Sequence, residues 1–280
     1  MSVRSGGAPR TARDEGASRT GREPSGTQSV DRALALLTHF TPEDPERRIS
    51  ELVAVSGLGQ STVSRLVGAL ENIGLLAADN RSGLYRVGPR AVELSALALN
   101  QSDVFRAGRQ HAQSLCCELG LGANLAERSG DRLFYLCHFD GAQAPRNYTM
   151  VGPGGPLHAT ALGKALLVGM SDVAVGELLG DKLPAFTPHT KTSMPDVLAE
   201  LELVRSRGYA TEREELAFSR ACLAAPIWDR SGQVVAAISV SGPLSVTDLD
   251  HRERDLSLKV IEAAAHISTA LGHNGINQRP

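Results

Sequence analysis

The chain has 280 residues, long enough for two domains that each bury a core of their own. Hydrophobic residues make up 42% of it and charged residues 21%, with a formal net charge of -2, the balance of a soluble globular protein and an argument against a strongly basic nucleic-acid binder. Its apolar runs fall short of a membrane span, no hydrophobic signal core opens it, and Cys116, Cys117, Cys137 and Cys222 show no CxxC spacing, so no membrane partner is expected and the thiols are expected free in a reducing cytoplasm.

Residues 1–27 consist of Gly, Ser, Arg, Thr and Pro with almost no apolar content, the composition of a disordered segment. It is either a solvated tail or, through its arginines, an arm that touches DNA. Ser29 then opens a predicted helix whose apolar stripe is Val30, Ala33, Leu34, Leu37 and Phe40, ended by Pro42 and Pro45. Ser29 and Arg32, at or near its N-terminus, are placed to hold a phosphate on the free N–H groups there.

The stretch Ile49–Gly88 carries the clearest pattern. Ser50 caps a short predicted helix through Val55, and Ser56-Gly57-Leu58-Gly59 breaks it. A second helix follows with Val63, Leu66, Val67, Leu70 and Ile73 on one buried face, and Gly74 stops it. Its other face offers Gln60, Ser61, Thr62, Ser64 and Arg65 near the N-terminus. Leu75–Ala77 and Leu84–Val87 form a predicted strand pair around the turn Asp79–Gly83. Together these make a helix-turn-helix with a wing, whose second helix suits the major groove: short polar side chains let the backbone approach phosphates while longer donors reach base edges. Acids and bases cancel between Gln28 and Arg90, so positive potential depends on placement, and Arg65, Arg81, Arg86 and Arg90 supply it locally.

Pro89 suits the first position of another helix, Arg90–Asn100, rich in Ala and Leu and expected to pack against a partner. A helix over 104–119 follows, with Val104, Gly108, Leu115 and Leu119 on one side. Beyond Ala123 the pattern changes to strands over Asn124–Arg128, Leu133–His138 and Arg146–Val151. Gly152-Pro153-Gly154-Gly155-Pro156 is then a loop, either a plain tight turn or the rim of a pocket. Helices are expected from near His158, over 171–180 and over 194–207, then a hairpin of Ala221–Trp228 with Val234–Ser241, and a last helix from Thr247 to Leu271. Such a mixture is an α+β domain with a largely antiparallel sheet.

Four blocks, SVDRALALL, GLGQSTVSRLVGALENIGLL, GLYRVG and PLHATALGKALL, are followed by RGYATEREEL and CLAAPIWDRSGQVVAAISVSGP in one order and spacing. The chain from Ser29 to Leu271 thereby resembles the IclR family of bacterial transcriptional regulators. The resemblance implies a winged helix-turn-helix over 28–88, a linker and dimerisation helix over 89–103 and a GAF-like α/β effector-binding domain over 104–273, between tails 1–27 and 274–280. It implies a dimer, or a dimer of dimers, on a palindromic operator in double-stranded DNA, and a small-molecule effector. By position, Gln60, Ser61, Thr62, Ser64 and Arg65 match the recognition helix, and Arg81, Tyr85 and Arg86 match the wing. Ala161, Leu162, Glu212, Cys222, Ser239 and Ser241 match the effector pocket. The chain departs from the family at Ser219, where a glycine is usual, at Arg220, where an apolar residue is usual, and at Glu212, often an Asp.

Side chains alternate along a strand, so Arg220, Cys222 and Ala224 are expected on one face and Ala221, Leu223 and Ala225 on the other. Arg220 then either points at the pocket, where its paired donors suit a carboxylate and Glu212 is its partner in the empty site, or precedes the strand and reaches solvent. No cofactor is expected. HATALGKA lacks the first glycine and the Ser or Thr of a phosphate-binding loop, which leaves Lys164 a helix-face residue, and the histidines show no metal-ligand spacing. The rival reading is an enzyme using Cys222 or Glu212 on a small acid, but no general base is recognisable at an informative spacing, so no enzymatic activity is expected.

Overall fold

The computed structural model describes residues 25–144 and 151–275, so the first 24 residues of the expected tail, all but the last residue of the strand expected over Arg146–Val151, and the last five residues lie outside the described residues. The chain divides into two compact units, one ending at Ser95 and the other beginning at Ala96.

The first unit contains α1 (Ser25–Leu37), β1 (Glu46–Arg47), α2 (Ile49–Ser56), α3 (Gln60–Asn72), β2 (Leu76–Asp79) and β3 (Leu84–Val87). Leu36, Leu52, Val63, Leu66, Val67, Leu70 and Leu76 form its core. Helix α1 starts four residues before Ser29 and turns a different stripe inward. Ala33, Leu36, Leu37 and Phe40 face the core, while Val30 and Leu34 are 57% and 52% exposed. The spacing fits either stripe; packing on α3 selects the one with Leu36. Ser50 is inside α2 rather than its cap: the helix starts after Arg48, whose N–H is taken by the Glu51 carboxylate at 2.7 Å. The last residue of α3 is Asn72, so Ile73 falls outside the buried face and is 60% exposed. Gly74 follows at φ +76°, the left-handed conformation that closes a helix. The wing is an antiparallel pair, β2 with β3, and β1 joins it as a third strand that sequence patterning did not show. Helix α4 (Pro89–Gln101) crosses from one unit to the other, and no side chain of it is buried.

The second unit is a sheet packed between helices. After α5 (Asp103–Leu119) come β4 (Gly122–Ser129), β5 (Arg132–Phe139), β6 (Gly152–Pro156), α6 (Ala161–Leu167), α7 (Asp172–Leu179), α8 (Met194–Arg207), β7 (Ala210–Arg213), β8 (Arg220–Trp228), β9 (Val234–Pro243), α9 (Leu244–Thr247) and α10 (Leu249–Ala270). The strands run antiparallel in the order β6-β5-β4-β9-β8-β7. One face is covered by α5 and α10 and includes Ala221, Leu223 and Ala225. The other lies under α6, α7 and α8 and includes Cys222 and Ala224. Gly152–Pro156, expected as a loop, is edge strand β6. Gly154 serves close approach, since a Cβ there would lie 2.4 Å from the Tyr135 ring. The helix expected from His158 begins at Ala161, because the Thr160 hydroxyl caps it by accepting the Gly163 N–H at 3.0 Å. The final helix starts at Leu249 rather than Thr247, which belongs to α9.

Candidate nucleic-acid interface and effector pocket

In the first unit the residues expected to read DNA are presented by α3 and the wing. Val63, Leu66, Val67 and Leu70 are fixed in the core, which turns Gln60, Ser61, Ser64 and Arg65 outward and leaves Thr62 half-buried. Gly59 precedes the helix without a capping side chain, so nothing bulky covers its first N–H groups. The wing turn is held by Asp79, which accepts the Arg81 N–H at 2.9 Å and the Ser82 hydroxyl at 2.7 Å. These bonds hold the Asp79 carboxyl below its usual range. Arg81 and Arg86 are exposed, and among the described residues neither they nor Arg65 have an ion-pair partner. Two placements differ from expectation. Ser29 and Arg32 lie past the first turn of α1, where backbone N–H groups are already bonded within the helix, so they form no N-terminal phosphate site. Tyr85 packs its ring on the core of the unit.

In the second unit the sheet brings the residues expected to line a pocket together on one face. Directly opposed residues of paired strands share a face. One row across the sheet is therefore His138, Asn124, Ser239 and Ala224, and the next is Gly122, Ser241, Cys222 and Glu212. Ala161 and Leu162, at the start of α6, are buried on the same side. Arg220 opens β8 and points to this side too: its Nη2 donates to Ser241 Oγ at 3.4 Å, and its charge acts on Glu212, Cys222 and Tyr135.

Glu212 does not pair with Arg220 among the described contacts. Its Oε1 instead accepts the N–H groups of Glu215 at 2.6 Å and Leu216 at 3.2 Å, tying the loop between β7 and β8 to the pocket. Burial outweighs these bonds and the pull of Arg220, and pushes its carboxyl up to about 7. Burial likewise pushes the Cys222 thiol up to about 12, so it stays neutral and lacks the thiolate a nucleophile needs. Lys164, expected on a helix face, is fully buried. Its Nζ lies 2.5 Å from Glu215 Oε1 and 3.5 Å from Glu200 Oε2 and donates to the Thr211 carbonyl, which anchors the same loop from below.

Sequence patterning missed Asn124, His138 and Tyr135. The irregularity in β4–β5 pairing between Leu125 and Ala126 explains the last two: it offsets the alternation so that positions 135 and 138, three apart, reach one face. A hollow of about 1010 Å³ opens at the edge of the sheet beside Pro226, Trp228, Val204 and Ile261, and none of the residues expected to bind an effector lines it.

The departure at Ser219 has a backbone reading. Ser219 sits at φ +58°, a conformation glycine adopts freely and serine does not. Ser219→Gly is expected to stabilise the fold by about 0.5–1 kcal/mol, read as a raised unfolding midpoint in urea at unchanged slope.

Comparison with known proteins places both units. The family described as "Bacterial transcriptional regulator IclR C-terminal" matches residues 96–269, and "IclR helix-turn-helix domain" matches residues 29–80. The HTH-type transcriptional repressor AllR of Escherichia coli is 31% identical over 248 residues, 88% of this chain and 91% of that one. The HTH-type transcriptional regulator XynR of Escherichia coli is 30% identical over 247 residues, 88% of this chain and 98% of that one. A solved IclR homolog from Microbacterium hydrocarbonoxydans, complexed with 4-hydroxybenzoate, superposes with a TM-score of 0.77 at 24% identity, covering 87% of this chain and 99% of that one.

Proposed function

The chain belongs to the IclR family of bacterial transcriptional regulators, a DNA-binding head joined to an effector-binding domain, and we propose from that premise that it is a cytoplasmic repressor released or retained by a small organic acid. Gln60, Ser61, Thr62, Ser64 and Arg65 enter the major groove, while Arg81 and Arg86 of the wing hold phosphates. Subunits pair through the apolar side chains that α1 and α4 leave exposed, Val30, Leu34, Val92, Leu94 and Leu97. Binding carries the whole function, with no covalent step; the neutral Cys222 thiol supports that over the enzyme reading. The effector shifts the protein between operator-bound and free forms only by its difference in affinity for the two.

The acid reading is carried by Arg220, a half-buried guanidinium on the pocket face where the family has an apolar residue. That the solved homolog is complexed with 4-hydroxybenzoate, itself a carboxylate, supports it. The DNA reading is tested by footprinting upstream of the protein's own gene. Arg65→Ala is expected to remove selectivity between operator and random DNA, at a cost of about 1–3 kcal/mol. Arg86→Ala is expected to weaken both alike and to lower the salt dependence by about one counterion. Parent-like footprints from both variants would place the reading surface elsewhere.

A further inference from the structure

The third strand of the wing puts a carboxylate beside one of its arginines. Strand β1 is anchored by Arg47, whose Nε donates to the His39 carbonyl at 2.7 Å and whose Nη2 pairs with Asp44 Oδ2 at 2.7 Å. Arg47 lies directly opposite Tyr85, which packs on the core, so this row of the sheet faces inward. Alternation turns the neighbouring row outward, and in it Glu46 lies directly opposite Arg86, with Ala77 of β2 on the far side. Opposed residues of an antiparallel pair have Cβ atoms roughly 4.5–5.5 Å apart. Asp79, two residues on from Ala77, shares the outward face.

Arg86 thus stands between two carboxylates. Asp79 is committed to the wing turn: the Ser82 hydroxyl and the Arg81 N–H hold its carboxyl below the usual range, and the charge of Arg86 adds to that pull. Glu46 has no such duty. It is exposed, and among the described residues neither it nor Arg86 closes an ion pair, so the fold of the wing does not call on its charge.

A DNA phosphate that approaches Arg86 meets Glu46 at the same time. Opposite charges exposed to water attract weakly, so Glu46 leaves Arg86 free to move, yet it lowers the positive potential that draws the phosphate in. Phosphate contacts bring affinity without sequence information. Weakening one of them lowers binding to every duplex alike and leaves the choice of sequence with the side chains of α3.

We propose that Glu46 is a brake on the wing: its carboxylate competes with a DNA phosphate for the Arg86 guanidinium and so holds down the sequence-independent part of operator binding. This rests on the reading of α3 and the wing as the DNA-binding surface and names what restrains it.

The test is a fluorescence-anisotropy titration of the full-length protein with two labelled duplexes, the region upstream of its own gene and a scrambled duplex of the same length, over a series of salt concentrations. Glu46→Gln is expected to bind both duplexes about three- to fivefold more tightly at low salt, with a salt dependence steeper by about one counterion at most. Its unfolding midpoint stays at the parent value, and Glu46→Asp, which keeps the charge, binds like the parent. The decisive arm is the same substitution in an Arg86→Ala background, where Glu46→Gln is expected to gain nothing, because the competition has lost its object. A Glu46→Gln variant that binds like the parent, or one whose gain persists undiminished without Arg86, overturns the brake and leaves the DNA reading standing. A parent that binds neither duplex overturns that reading and the brake with it.

Discussion

Leu97→Glu is expected to yield monomers that bind operator roughly a thousandfold more weakly, the gap between specific and non-specific association. The reason lies in α4. A helix rich in Ala and Leu should bury a stripe, yet no side chain of α4 is buried within the chain, and Leu94 and Leu97, one turn apart, are both exposed. Each large apolar side chain left in water forgoes about 1.5–3 kcal/mol that burial would return, so this helix is expected to be half of an interface. A carboxylate at position 97 would have to be desolvated there without a partner, which costs more than the lost leucine. A single head then offers only one half-site's contacts. Sedimentation reads the assembly and a gel shift reads the affinity. An intact dimer for Leu97→Glu would move the interface away from α4.

Arg220→Leu is expected to lower the affinity for 4-hydroxybenzoate or pyruvate about a hundredfold, near 2.7 kcal/mol, while operator affinity in the absence of ligand stays at the parent level. The guanidinium is the only cation whose side chain the described contacts place on the pocket serines, through Ser241. A charge-assisted pair between it and a carboxylate contributes about 1.5–3 kcal/mol, so its loss dominates that of any neutral donor in the site. Leucine restores the apolar character usual in the family and fits the strand, so the fold persists. Calorimetry with the acid and a footprint without it separate the two effects, and an unchanged acid affinity would leave Arg220 without a ligand role.

The DNA-reading head was legible because its signals are local. The spacing of Val63, Leu66, Val67 and Leu70 fixes which face of α3 is buried, and Gly57, Gly74 and Gly83 occupy left-handed positions that few other residues adopt. The alternation that placed Arg220 and Cys222 on one face is equally local, since strand geometry alone dictates it. Local signals misled where two stripes were equally periodic. Val30 and Leu34 have the same spacing as the residues α1 buries, and only contact with α3 chooses.

What the sequence by itself determined was the order of the longer helices and hairpin strands, the polar face of α3, the side of the sheet each β8 residue occupies and the family blocks that join them. Tertiary structure decided the rest, because it turns on partners distant in the chain. Two-residue β1 exists only through pairing with Tyr85 and Arg86, and Gly152–Pro156 is a strand only because Tyr135 and its neighbours on β5 accept it. Lys164 is buried rather than surface because Glu200 and Glu215 come to meet its charge. The run of hydrogen bonds from Asp140 through His138 and Asn124 to Ser239 and Ser241 spans more than 100 residues of sequence, and it forms only when β4 pairs with β5 on one side and β9 on the other. No local pattern encodes such a contact, since hydrogen-bond partners are set by which strands lie side by side, and that choice is made by the whole core.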